Sequence, residues 1–158
     1  MCENEEIENN PKQEDLVNKL SEFLIVNDRN LLRQIFSYKK EKNNKNCFYI
    51  HGKVGVGKTL IMDINFDNFN SKSKKRIHFH EFMIQAHESL HKLRKDNKNN
   101  KDFLISKLAK KISKESRFLF FDEFQVTNIA DAMILGNLFS ELFKNNVKII
   151  ITSNSHPD

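Results

Sequence analysis

Three of the four glycines in this 158-residue chain fall within eight residues, Gly52 to Thr59, in the stretch GKVGVGKT. Gly52, Gly57, Lys58 and Thr59 satisfy G-x-x-x-x-G-K-[ST], a pattern that demands a strand before it and a helix after it. Both are expected. The run CFYIH ends at Gly52 as a short buried parallel strand should, and Leu60 to Phe69 has helical periodicity. Without Cβ atoms, Gly52, Gly55 and Gly57 can wrap backbone N–H groups around a phosphate chain, and a helix starting near Lys58 adds its positive end. Lys58 is expected to reach the β- and γ-phosphates and the Thr59 hydroxyl to hold Mg²⁺. Gly52, Lys53, Val54, Gly55, Val56, Gly57, Lys58, Thr59 and Leu60 are thus the expected nucleotide-binding residues. The alternative is a glycine-rich strand-to-helix turn with no ligand.

The rest of the chain sorts into alternating strands and helices. Two amphipathic helices are expected before the glycines, one over Asp15 to Ile25 and one around Leu31, Leu32, Ile35 and Phe36, followed by a polar linker, KKEKNNKN. RIHFH alternates like a strand, Phe82 to Leu93 and Phe103 to Ile112 have helical spacing, and KDNKNNK reads as a loop between them. RFLFFDEF is a strand ending in acids, Ile129 to Phe143 a long helix, and VKIIITSN a strand of β-branched residues. Such alternation predicts an α/β fold, a parallel sheet covered on both faces. The division expected is an acidic tail and helical segment over 1–45, then a nucleotide-binding core over 46–158.

Phe118, Leu119, Phe120 and Phe121 lead into Asp122 and Glu123, an apolar strand ending in adjacent carboxylates. After a complete phosphate loop this is the Walker B pattern. Asp122 would contact Mg²⁺, usually through water, and Glu123 would polarise the attacking water as general base. Two solvated acids at a strand end are the alternative.

The segments FHEFMIQAH, FFDEFQVTNIADAMILGNLF and ITSNSHPD together resemble the ZapE family of AAA+ ATPases, division-associated bacterial proteins with mitochondrial relatives. The likeness runs from about Tyr49 to Asp158, and the combination is more specific than either nucleotide motif. It implies a P-loop NTPase core of AAA+ type that binds ATP and Mg²⁺ and hydrolyses ATP. It implies as well a role in cell division or protein quality control, with a protein partner or substrate. The fourth strand would lie between the phosphate-loop and Walker B strands and present Asn154 as a sensor of the γ-phosphate or hydrolytic water. A neutral amide suits that task, since it donates to phosphate and accepts from water. Asn128 stands where the family usually has Asp. The resemblance also implies a fifth strand, an arginine finger and a helical lid beyond Asn154. The chain ends four residues later with no arginine after Arg117. Slow hydrolysis by the isolated chain is therefore expected, with homo-oligomers forming if a lid completes it. The rivals are a module that binds nucleotide without turnover and a DNA-associated ATPase of the helicase-loader kind.

Composition narrows the setting. Cys2 and Cys47 form neither a disulfide framework nor a CxxC knuckle, as in a reducing compartment. No apolar run approaches the roughly 20 residues that span a bilayer, and the start MCENEEIENNPKQED lacks a secretory or transit signature. A cytoplasmic location is expected. Residues 72 to 117 hold fourteen Lys or Arg against five acids. Aromatics are not interleaved through the lysine runs, so a solvated, disordered-prone loop is expected there and nucleic acid is not. HESLH, His87 to His91, matches the zinc motif H-E-x-x-H, but no distinctive third ligand follows. We predict that EDTA, without nucleotide, leaves thermal stability unchanged and releases no zinc. One zinc per chain by elemental analysis, lost in His87→Ala, would reverse that ranking.

Overall fold

The computed structural model describes residues 11–36, 45–96 and 101–155. Its elements are α1 (Pro11–Phe36), β1 (Cys47–His51), α2 (Lys58–Asn68), β2 (Lys74–His78), α3 (Phe79–Asp96), α4 (Lys101–Glu115), β3 (Phe118–Asp122), α5 (Ile129–Lys144) and β4 (Lys148–Ser153). The four strands form a single parallel sheet in the order β1-β4-β3-β2. The last strand in sequence therefore lies between the strand before the glycines and the strand before the acids, as the family resemblance implied.

Each strand reads alternately to the two faces, because successive side chains point to opposite sides. Phe118 and Phe120 of β3, Ile150 of β4 and Ile50 of β1 join one core with Leu20, Phe23 and Leu24 of α1 and Ile61 and Met62 of α2. Leu119 and Phe121, with Ile149 and Ile151, join the other against α3, α4 and α5. The expected covering of both faces is thus present, and it accounts for the unbroken apolar character of FLFF and III. A hydroxyl–amide contact ties the first face together. Ser21 Oγ donates to Asn65 Oδ1 at 2.8 Å, and the buried Asn65 Nδ2 donates to Ile61 O at 2.9 Å.

Three expectations are corrected. The two helices expected before the glycines are one helix, α1, which runs through Leu31, Leu32, Ile35 and Phe36. The polar stretch Asn27–Asn30 contains neither Pro nor Gly, the two residues that cost a helix interior most. That helix also begins inside the acidic segment, at Pro11, the helical position where a missing N–H costs least. Finally, RIHFH is a strand only as far as His78, because β3 ends at Asp122 and offers Phe79 no ladder partner. Phe79 opens α3 and still packs inward, its ring 4.4 Å from that of Phe124. The helices α2, α3, α4 and α5 start or end within a few residues of their expected bounds. Most of the linker KKEKNNKN, the interior of KDNKNNK, Cys2 with the acids before Pro11, and His156 to Asp158 lie outside the described residues.

Phe120 is fully buried in the middle of β3 and meets Phe66 of α2 edge-on at 5.1 Å. Phe120→Ala should lower unfolding free energy by about 3–5 kcal/mol. Phe103, which is 54% exposed on α4, should tolerate Ala within about 0.5 kcal/mol. Urea denaturation of the two variants checks the difference, and equal losses would contradict this core.

Candidate functional site

All four strands run the same way, so their C-terminal ends share one edge of the sheet. In open α/β sheets that edge is where ligands bind. From the end of β1 the chain turns through Gly52–Gly57 into α2. Gly55 and Gly57 have φ of +84° and +80°, in the left-handed region that side chains rarely adopt. Gly57 caps α2 without a side-chain bond, and the first helical turn closes from Ile61 N–H to Gly57 O at 3.1 Å. The leading amides of α2 thus meet no side-chain cap from Gly57, leaving the positive end of the helix facing the loop.

The Lys58 ammonium folds back over the loop and donates to Gly52 O at 2.8 Å and Lys53 O at 2.7 Å. Thr59, Lys53, Val54 and Leu60 are exposed around it. One contact was invisible in the sequence: Gln13 of α1 reaches across to donate from Nε2 to Val56 O at 3.0 Å. A Cβ at position 57 would come within 2.7 Å of that amide.

Beside the loop, the ends of β3 and β4 are laced together. Asp122 is buried at the tip of β3, while Glu123 is exposed and has φ of +55°. A non-glycine residue in that region carries strain that its surroundings must hold. They do so through β4. Glu123 N–H donates to Thr152 Oγ1 at 3.3 Å, Phe124 N–H to Thr152 O at 2.8 Å, and Ser153 Oγ to Phe124 O at 2.8 Å. The end of β4 is in turn fastened to β1 and the loop. Gly52 N–H donates to Ser153 O at 3.3 Å and Tyr49 Oη to Ser155 O at 3.1 Å. Asn154, between these anchors, is exposed.

Asp122 has a partner that sequence reasoning missed. Arg76 of β2 grips it as a fork, Nε to Oδ2 at 2.6 Å and Nη2 to Oδ1 at 3.2 Å, while Nη1 bonds Asp63 of α2. Burial alone would lower the guanidinium pKa, but the hydrogen bonds to Asp122 and Asp63 outweigh it and raise it, so the charge is permanent. In the sequence Arg76 was one cation among fourteen in the basic block and the first residue of the expected strand RIHFH. The available signal was Asp63, one helical turn after Thr59 and on the same face of α2.

The remaining sequence candidates fall elsewhere. His87 and His91 are exposed on α3, and His87 Nε2 meets Asp131 Oδ1 at 2.6 Å. Among the described residues no group of three or more His, Cys, Asp or Glu is placed to hold a metal ion. Asn128 caps α5, accepting the Asp131 N–H at 2.7 Å and donating its own Nδ2 to Asp131 Oδ2 at 2.6 Å. Asn and Asp are equivalent caps, but only the amide can donate to Asp131, so the departure from the family pattern has a local use. Most of the basic block is not the expected loop but β2, α3 and α4, because the apolar faces of those helices pack on the sheet; Arg76 and Lys74 turn inward, whereas Lys92, Lys95, Lys107, Lys110, Lys111 and Lys114 are exposed on α3 and α4. No described helix is long and apolar enough to cross a membrane.

Solved structures share this architecture. Domain III of the replication initiation protein DnaA from Thermotoga maritima superposes with a TM-score of 0.60 over 96% of this chain and 55% of that one, at 19% identity. PCH-2 of C. elegans gives 0.52 over 96% of this chain and 39% of its own, at 16% identity. At these identities both likenesses are of fold alone. Sequence relatives are nearer. Lactation elevated protein 1 homolog B of Danio rerio is 43% identical over 117 residues, 70% of this chain and 23% of its own length. Cell division protein ZapE of Escherichia coli K12 is 38% identical over 110 residues, 70% of this chain and 28% of its own. The chain thus spans about a quarter of the curated relatives it matches. Residues 4–158 match the AFG1-like ATPase family, and the chain belongs to that family.

Proposed function

We propose that residues 46–158 are the nucleotide-binding core, in part, of an ATPase that converts ATP to ADP and phosphate, and that α1, from the segment before them, covers its second face. The observation that carries this reading is the convergence of the glycine loop, Asp122, Glu123 and Asn154 on one edge of a parallel sheet. Family membership and the AAA+ architecture support it.

In this reading the amides of Gly52–Leu60 cradle the phosphates. Lys58 exchanges its carbonyl partners, Gly52 O and Lys53 O, for phosphate oxygens, a stronger acceptor for an ammonium. Mg²⁺ fits the donor set, since the Thr59 hydroxyl and the Asp122 carboxylate are hard oxygen ligands and Asp122 already holds a cation, Arg76. When bound, the metal neutralises charge developing on the transferred phosphoryl group. Glu123 takes the proton of the attacking water. Its positive φ, held by Thr152, fixes the direction in which its carboxylate leaves the strand. Asn154 orients water or the γ-phosphate. Transition-state charge is spread over phosphate oxygens, so catalysis here is positioning plus electrostatic stabilisation.

ZapE is described as a cell division protein, and we extend to this chain a role in division or protein quality control, acting on a protein partner.

MgADP at about 100 times its Kd should raise stability by about 2.7 kcal/mol, which corresponds to a melting shift of roughly 5–10 °C for a chain of this size. Lys58→Ala should lose most of the shift, as a thermal melt of both proteins would show. An equal shift in the variant would remove Lys58 from the site. Glu123→Gln should retain the MgADP shift while hydrolysis falls by about 100-fold or more. Phosphate release that is the same in wild type and variant would favour a module that binds without turnover.

A further inference from the structure

Arg76 gives the metal side of the site a second property. It extends from β2 on the face that α2 covers, opposite Phe120 in register and on the same side of the sheet as Asp122. Its side chain is 21% exposed and that of Asp122 11%. The fork engages both Asp122 oxygens, and the remaining arm holds Asp63, one turn beyond Thr59. One permanent positive charge thus bridges Asp122, the expected metal contact, and Asp63 of α2.

We infer that Arg76 is an internal counter-cation that occupies Asp122 in the metal-free chain and competes with a divalent cation for it, while Asp63 retains the guanidinium when Asp122 is given up. This rests on the reading of Asp122 as the metal contact. A fork that accepts nothing and donates twice saturates the lone pairs Asp122 directs toward it. A guanidinium and a divalent cation within a few ångströms repel each other at low effective dielectric. Both cannot be held by Asp122 at full strength, so metal binding loosens the fork. Asp63 makes that loosening cheap, since its partner stays paired. The device leaves no bare, buried carboxylate in the empty site, and it makes divalent binding contingent on a second ligand, the nucleotide phosphates, that tips the competition.

The test is a Mg²⁺ titration at fixed ADP, followed by melting temperature, for wild type, Arg76→Gln and Arg76→Lys. In Arg76→Gln the metal-free protein should melt lower, because Asp122 and Asp63 lose their cation, and the Mg²⁺ midpoint should fall about tenfold, within the usual range of coupling between two bound species. Arg76→Lys keeps the charge without the fork, and its midpoint should fall less. It decides the matter by the same measurement if Arg76→Gln does not fold. A lower metal-free melting temperature with an unmoved midpoint would make Arg76 a permanent strut and overturn the inference. So would a higher midpoint, which would mean that Arg76 assists the loaded site. Should ADP fail to stabilise wild type at any Mg²⁺ concentration, the nucleotide reading falls and this inference with it. A wild-type response with unmoved midpoints in both variants defeats the inference alone.

Discussion

Strand β4 is hydrogen-bonded along both edges, to β1 from Cys47↔Ile149 to His51↔Ser153 and to β3 from Phe118↔Lys148 to Phe121↔Ile151. Everything at the candidate site depends on that double pairing. Register in a parallel sheet buried on both faces is strongly specified, because a slip of one residue would exchange every side chain between the two cores. With β4 locked, the ends of β1, β3 and β4 come level, and the glycine loop, the acids and Asn154 meet without any of them needing to touch another.

The loop–acid edge is rigid in its backbone and occupied in its side chains. Thr152 and Ser153 hold the strained backbone at Glu123 and the carbonyl at Phe124, and the same β4 end accepts from Gly52. Charges, meanwhile, have found internal partners: Lys58 lies on loop carbonyls and Arg76 on Asp122 and Asp63. On the proposed function, these two groups would exchange partners on loading rather than be desolvated bare, since a buried charge without a partner is costly.

Helix α1 shows how packing reaches the loop from a distance. Leu20, Phe23 and Leu24 anchor it on the β1–α2 face, and that anchorage places Gln13, nearly two turns earlier, against Val56 and Gly57. The loop therefore feels the helix through one amide, whereas the reason Gly57 lacks a side chain is its left-handed φ, since a Cβ there would displace only the flexible end of Gln13.

Local sequence was sufficient wherever one segment carries its own physical reason. The left-handed turns require Gly55 and Gly57, the apolar runs before Gly52, Asp122 and Asn154 require burial on two faces, and a helix must follow Lys58 to complete the loop. Strand order came not from those patterns but from the likeness of longer segments to a family. Periodicity failed where it lacked a partner to consult: the apolar pattern lapses between Ile25 and Leu31 although the helix continues, and RIHFH alternated beyond the end of the strand it pairs with. What tertiary structure alone decided is the set of contacts between residues far apart in the chain. Arg76 with Asp122 and Asp63, Thr152 with Glu123, and Gln13 with Val56 join positions 46, 13, 29 and 43 residues apart. No spacing rule encodes such pairs, because their geometry is set by sheet order and helix packing, and a block of fourteen cations gives no sign of which will be folded inward.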